Sequence, residues 1–336
     1  MCTPAAELDI SECMRFLARY GDDDQPTSPL DTLGNAGGLS GSLLWRFESR
    51  RGTLVLRAHP ADRPNWPPLE QIHEWISHAR TLGFVPVPIP DRQGRTSGPL
   101  STRLAQIEPW MPGAAVLDGT PNRLQVQAAF RALGGFHQAQ ARTRRLTVPP
   151  GLTRRCVELR DLRDGSIHHT YKRLLTFEPS PEQALALEWA RRVDPLLPRI
   201  VHEVEHALQR DAPVQVCLRD CRGQHFLFTG QEVTGLVDMG AMDFDSPAAD
   251  LSRLLLDWDS RDPSLRPAAL DAYASVHTLD LATSSLIRLY ESTAATLAPA
   301  HWIRWHFLEA RRFDDPHAPL EGLERALVRF RRLHTA

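Results

Sequence analysis

Two aspartates eighteen positions apart, Asp220 and Asp238, are the side chains whose surroundings best suit chemistry. Asp220 follows a short apolar run, Val214 to Cys217, and Asp238 closes another, Val233 to Val237. Between them Phe226-Leu227-Phe228 and Val233–Val237 flank a turn containing Thr229-Gly230, the pattern of a hairpin. Such a hairpin is expected to carry its flanking acids to one end. One carboxylate then takes a proton from a nucleophile while the other holds a hard metal ion, the division of labour in phosphoryl transfer.

Two other groupings invite metal chemistry. His202-Glu203-Val204-Glu205-His206 has the HExxH spacing that sets two histidines on one face of a helix, as in zinc hydrolases. Ile200, Val201, Val204 and Leu208 form a separate apolar face, however, so the histidines are expected in solvent, with no third ligand at a matching interval. Cys217, Cys221 and His225 recur at every fourth residue, but that spacing aligns side chains only on a helix. This segment crosses from strand to loop, and the cysteines read as small core residues.

The elements that must position the acids are legible from periodicity. An amphipathic helix over the first twenty residues, without the basic start and apolar core of a signal peptide, ends at Gly21-Asp22-Asp23-Asp24-Gln25-Pro26. A Gly-rich stretch, Leu33 to Ser42, leads into Leu43–Phe47; Arg50-Arg51-Gly52 turns the chain and Thr53–Arg57 returns. Pro67-Pro68 starts a helix that runs to Gly83, Val85–Pro90 is extended by its prolines, and Leu104–Ile107 is a further strand. Helices follow at Arg123–Ala139, Pro181–Val193, Leu197–Arg210, Pro247–Trp258, Leu265–Val276, Leu281–Leu297 and Leu320–Leu333, with Pro195 and Pro198 separating the second from the third. The expected class is α+β and bilobal: a small β-rich N-lobe and a large, mostly helical C-lobe.

Bulk composition excludes some functions. The net charge of −2 over 336 residues gives no basic footprint for nucleic acid or an anionic membrane. No apolar run approaches the roughly 18 residues a membrane span needs, and five scattered cysteines suit a reducing, cytoplasmic setting. Lys172 is the sole lysine among 39 basic residues, so any role that needs a cation falls almost everywhere to arginine.

The order of parts resembles the aminoglycoside phosphotransferase-like family, a branch of the protein-kinase-like fold that includes choline and homoserine kinases. That family's catalytic segment runs His-Gly-Asp, four residues, Asn, then a hairpin and apolar-apolar-Asp-Trp/Phe-Gly. The matching positions here are Leu218-Arg219-Asp220, Cys221 to Gln224, His225, and Leu236-Val237-Asp238-Met239-Gly240. Asp245-Ser246-Pro247-Ala248-Ala249-Asp250-Leu251 resembles the tail that follows.

The resemblance implies an ATP-dependent kinase, requiring Mg²⁺, that phosphorylates a hydroxyl of a small molecule as a monomer or homodimer. Residues 1–24 would be a helical extension, 25–111 the nucleotide-binding lobe with its hinge at about 107–113, and 112–336 the catalytic and acceptor lobe. Asp220 would be the base, with Arg219 beside it, and Asp238 the main metal ligand. His225 stands where the family has asparagine and would ligate weakly or hold the loop. Gly37, Gly38, Ser40 and Gly41 would cover the phosphates; Arg57 would replace the family's phosphate-binding lysine, with Glu74, or else Glu70, as its carboxylate partner. The carbonyl of Glu108 and the amide of Trp110 would recognise adenine. Leu218, His225 and Arg57 depart from the pattern, as they would in a catalytically impaired pseudokinase. A zinc hydrolase using His202, Glu203 and His206 is the remote alternative.

Overall fold

The computed structural model describes residues 8–34, 41–60, 67–116, 121–258, 262, 264–311, 313 and 315–334. In chain order the strands are β1 (Asp31–Gly34), β2 (Leu43–Ser49), β3 (Gly52–Ala58), β4 (Gly98–Leu100), β5 (Arg103–Pro109), β6 (Ala114–Ala115), β7 (Arg145–Thr147), β8 (Ala212–Cys217), β9 (Phe226–Thr229), β10 (Glu232–Leu236) and β11 (Asp243–Asp245). The α-helices are α1 (Ile10–Leu17), α2 (Leu69–His78), α3 (Arg123–Ala139), α4 (Pro150–Asp161), α5 (Ile167–Leu174), α6 (Pro181–Val193), α7 (Leu197–Ala207), α8 (Pro247–Trp258), α9 (Leu265–Ala274), α10 (Leu281–Ile303) and α11 (Ala318–His334). The fold class is α+β, as the sequence implies.

The chain divides into two compact units, one of Met1–Gln140 with Gln224–Asp243, the other of Ala141–Gly223 with Phe244–Ala336. The first contains an antiparallel sheet in the order β1-β2-β3-β5-β4 and a smaller one, β10-β9-β6. Trp45, Phe47, Leu54, Leu56 and Ile107 alternate onto one face, where Cys13, Phe16, Leu17 and Tyr20 pack against them. Helix α1 is thus part of this unit's core rather than an appendage to it. Asp9 caps it, accepting from the Ser11 amide at 3.1 Å. Arg19, just beyond, joins Arg95 on the buried carboxylate of Asp91.

In the second unit, strand β8 is buried at all six positions and lies between β7 and β11. Helices α4 to α11 surround it in sequence. Helix α4 escapes the periodicity reading because Pro149-Pro150-Gly151 looks like a breaker; Pro150 instead occupies the first turn, where a missing N–H costs nothing. Gly165, at φ 135°, then breaks the path between α4 and α5.

Candidate active site

The catalytic-loop segment emerges from β8. Leu218 is buried, and Arg219 adopts φ 64°, a left-handed conformation that L-residues other than glycine seldom take. Fully buried Asp250, on α8, holds this loop: its two carboxylate oxygens accept from the amides of Leu218 and Arg219, each at 2.7 Å. Those charge-assisted bonds offset the strain at Arg219. Asp220 follows, half-buried, with Arg222 Nε donating to its carboxylate at 2.7 Å and Arg253 Nη2 3.6 Å away. Gly223 ends the loop by donating its amide to Asp257 at 3.1 Å. A Cβ there would sit 2.4 Å from the Trp258 indole nitrogen, so this turn requires glycine.

Asp220 lines a cavity of about 270 Å³ built wholly within the second unit. Arg154 and Arg155 of α4, Arg219 and Arg253 share its wall with Asp245. Asp245 is buried and accepts from Tyr290 Oη at 2.7 Å and from the amides of Ser246 and Gly151 at 2.8 and 3.2 Å. Burial pushes its carboxyl above the usual carboxylate range despite those bonds. Any Cβ on Gly151 would overlap Asp245 Oδ2, at 1.9 Å. Of the arginines of this wall, Arg219 was singled out from sequence and Arg154, Arg155 and Arg253 were not. Their signal is the near-absence of lysine, which does not say which arginines converge.

Asp238 belongs to the first unit and sits just after β10 at φ 60° and ψ 52°, again left-handed. Its side chain is half exposed, and buried His225 has Nε2 3.6 Å from its carboxylate. The Val237 amide donates to the His225 carbonyl at 3.0 Å, which ties the two segments together. An accessible carboxylate is a fitting oxygen ligand for Mg²⁺, whereas an imidazole nitrogen is a poor one, so this donor set fits the ion through Asp238.

Arg57 on β3 corrects an expectation. Its carboxylate partner is Glu108 on β5, bonded from Nη2 at 2.8 Å and Nε at 3.0 Å, not Glu74. Register explains this: Arg57 pairs with Gln106, so Glu108 lies one diagonal step along the same face. Glu74 is exposed and accepts from Gln71 at 2.9 Å, and Glu70 accepts from Ser97 at 2.7 Å. Burial alone would lower the Arg57 pKa, but Glu108 and Asp238 outweigh it and raise it. Behind the pair, Gln106 donates to Glu108 and accepts from His59 and His73 at 2.9 and 2.7 Å. The cavity bordered by Arg57, Glu108 and Asp238 holds only about 30 Å³, room for roughly one water.

A second correction concerns the hinge. The Trp110 amide donates to the Thr53 carbonyl at 3.0 Å and is not available to a base. The Trp110 ring lies under the Arg46 guanidinium, 5.3 Å from its centroid. With 53 and 110 bonded, strand alternation makes Val55 and Glu108 a hydrogen-bonded pair too, which engages the Glu108 carbonyl. Of the Gly-rich loop, Gly37, Gly38 and Ser40 lie outside the described residues; Gly41 has φ 71° and its carbonyl accepts from Arg103 at 2.9 Å.

The competing metal readings find no support among the described residues. His202, Glu203 and His206 are exposed on α7 while Leu197, Ile200, Val201 and Val204 are buried. Cys217 and Cys221 are fully buried, and desolvation drives both thiols well above their ordinary pKa, which leaves them unreactive.

A small antiparallel lobe, a helical lobe and these two acid-bearing turns define a phosphotransferase of the protein-kinase-like fold. The model of the Phosphotransferase enzyme family matches residues 32–286, and the chain belongs to that family. Its activity is accordingly the ATP-dependent transfer of phosphate to a small molecule. No curated protein matches the chain in sequence. Among solved structures, an aminoglycoside phosphotransferase from Alicyclobacillus acidocaldarius is 14% identical at TM-score 0.68, covering 100% of this chain and 95% of that one. The amicoumacin kinase hAmiN, in complex with AMP-PNP, Ca²⁺ and Ami, is 15% identical at TM-score 0.62, covering 96% and 93%. A choline/ethanolamine kinase family protein from Mesorhizobium loti is 18% identical at TM-score 0.57, covering 97% and 93%.

Proposed function

We propose that Asp220 is the base of this kinase, Asp238 the principal ligand of Mg²⁺, and Arg57 the cation that engages nucleotide phosphate. The observation that carries the reading is the pair of held acids: Asp220 on a loop that Asp250 clamps from below, and Asp238 presented to solvent by a left-handed turn. Bound Mg²⁺ would neutralise charge on the ATP phosphates.

The acceptor hydroxyl oxygen bonds to the γ-phosphorus while the bond from that phosphorus to the β,γ-bridging oxygen breaks. The hydroxyl proton passes to the Asp220 carboxylate, and ADP leaves. Arg222 and Arg253 orient the Asp220 carboxylate until the hydroxyl arrives. Arg57 must exchange part of its contact with Glu108 for a phosphate oxygen, which a forked guanidinium can do without losing both bonds. Strand alternation offers adenine the Pro109 carbonyl and the Met111 amide, one position on from the engaged pair.

The deciding experiment is Asp220→Ala assayed for transfer and for nucleotide binding. Turnover should fall by about 10²–10⁴-fold with nucleotide affinity unchanged. Undiminished turnover overturns the assignment of Asp220 as the base, whereas no transfer by the wild type to any acceptor favours a role for this fold in binding alone.

A further inference from the structure

The wall around Asp220 is rich in cations that its own acids do not consume. Among the described residues, Arg155 has no carboxylate partner: it donates to the Tyr290 carbonyl at 2.7 Å and to Thr293 Oγ1 at 2.9 Å, and its guanidinium lies over the Tyr290 ring. Burial lowers its pKa, the sign of a cation deprived of water without full compensation. The Nε of Arg253 is buried and has no hydrogen-bond partner among the described residues. An unmet buried donor costs about 1–3 kcal/mol, so the protein leaves the Arg253 guanidinium incompletely satisfied.

Each acid of the same cavity has a basic side chain beside it. Asp245 takes three hydrogen bonds on Oδ1, from Tyr290, Ser246 and Gly151, and Arg154 lies 3.6 Å from its Oδ2. Glu158 is bonded to His301 Nε2 at 2.8 Å. Asp220 is held by Arg222. An ammonium group entering here would face four guanidinium groups, those of Arg154, Arg155, Arg219 and Arg253, against the three carboxylates of Glu158, Asp220 and Asp245. An oxyanion would find the forked donors that match it bidentately.

We infer that the acceptor is a small hydroxylated anion, its carboxylate or phosphate held by Arg155 and Arg253 while its hydroxyl faces Asp220. The inference rests on Asp220 being the residue that meets the acceptor. The cavity of about 270 Å³ has room for a small hydroxy acid or sugar phosphate.

Binding and transfer are measured separately, with D-glycerate and L-malate as carboxylate probes, glycerol 3-phosphate as the phosphate probe, and choline, ethanolamine and kanamycin as cationic ones. Calorimetry on the intact protein should detect at least one anion, which distinguishes carboxylate from phosphate, and no cation. In Arg253→Gln, and in Arg155→Gln if it folds, the Kd for that anion should rise at least tenfold while the nucleotide Kd is unchanged. A cation phosphorylated with kcat/KM equal to or above that of every anion overturns the inference and leaves the kinase assignment intact. So does failure of all three anions to bind at millimolar concentration, or an anion Kd indifferent to Arg253→Gln. Anion binding that depends on Arg253, without transfer from ATP, sustains the inference and counts against Asp220 as a working base.

Discussion

Arg57 and Glu108 form a two-bonded ion pair across neighbouring strands, at 2.8 and 3.0 Å, with 18% and 7% of their side chains exposed. The cation carried over as the phosphate contact is therefore already engaged, and by a residue whose backbone alone was expected to matter. If phosphate must compete with Glu108 for Arg57, weakening the competitor should help nucleotide. Glu108→Gln is expected to lower the Kd for ATP several-fold while destabilising the protein by about 3 kcal/mol, since a buried charge loses its partner. Nucleotide titration and urea denaturation check the two effects, and a weaker Kd would mean that Glu108 organises Arg57 rather than competing for it.

The clamp on the catalytic loop makes a second expectation. Asp250→Ala removes the acceptor of two amides at once, and the left-handed Arg219 loses its restraint. We expect a loss of about 2–3 kcal/mol in stability and a kcat lowered more than KM is raised. Arg219→Gly should act oppositely on strain and recover about 1 kcal/mol in the Asp250→Ala background. Thermal unfolding of the single and double variants measures it.

Gly151 tests the packing beneath the cavity. Its Cβ position is filled by Asp245 Oδ2, so Gly151→Ala must push aside a carboxylate held by Tyr290. Overpacking of this kind costs about 1–3 kcal/mol. Gly165→Ala, with nothing within 4 Å of its Cβ but φ at 135°, is a control in which backbone strain alone operates.

Asp91 supplies a pH dependence. Burial tends to raise its pKa, but the Arg95 and Gln93 amides and the Arg95 and Arg19 guanidiniums prevail and lower it from 3.8 to about 2. A group depressed in the folded state stabilises above its unfolded pKa and loses that contribution as pH falls through the folded one. Asp91 should thus add roughly 2 kcal/mol above pH 4, and this should vanish as pH falls from about 4 to 2. Denaturation of the wild type and Asp91→Asn across that window should show the two curves converging at its acid end.

Helices α3, α6 and α8 begin and end where the 3.6-residue spacing and flanking caps set them, because those signals are local. The turns that carry Asp220 and Asp238 are legible for the same reason: strand, turn and acid are adjacent in the chain. Helix α4 was not, since a proline in its first turn is indistinguishable from a breaker until the following residues are seen to pack.

What the amino-acid order determined alone was the class of chemistry and the two acid-bearing turns proposed to serve it. Tertiary structure decided which groups those acids and their cations meet. Arg57 takes Glu108 over Glu74 because strand register brings residues 51 positions apart onto one face. Arg155 and Arg253 line one cavity because α4 and α8, distant in sequence, wall the same space. Side-chain partnerships of this kind depend on long-range packing, for which neighbouring residues carry no periodic signal.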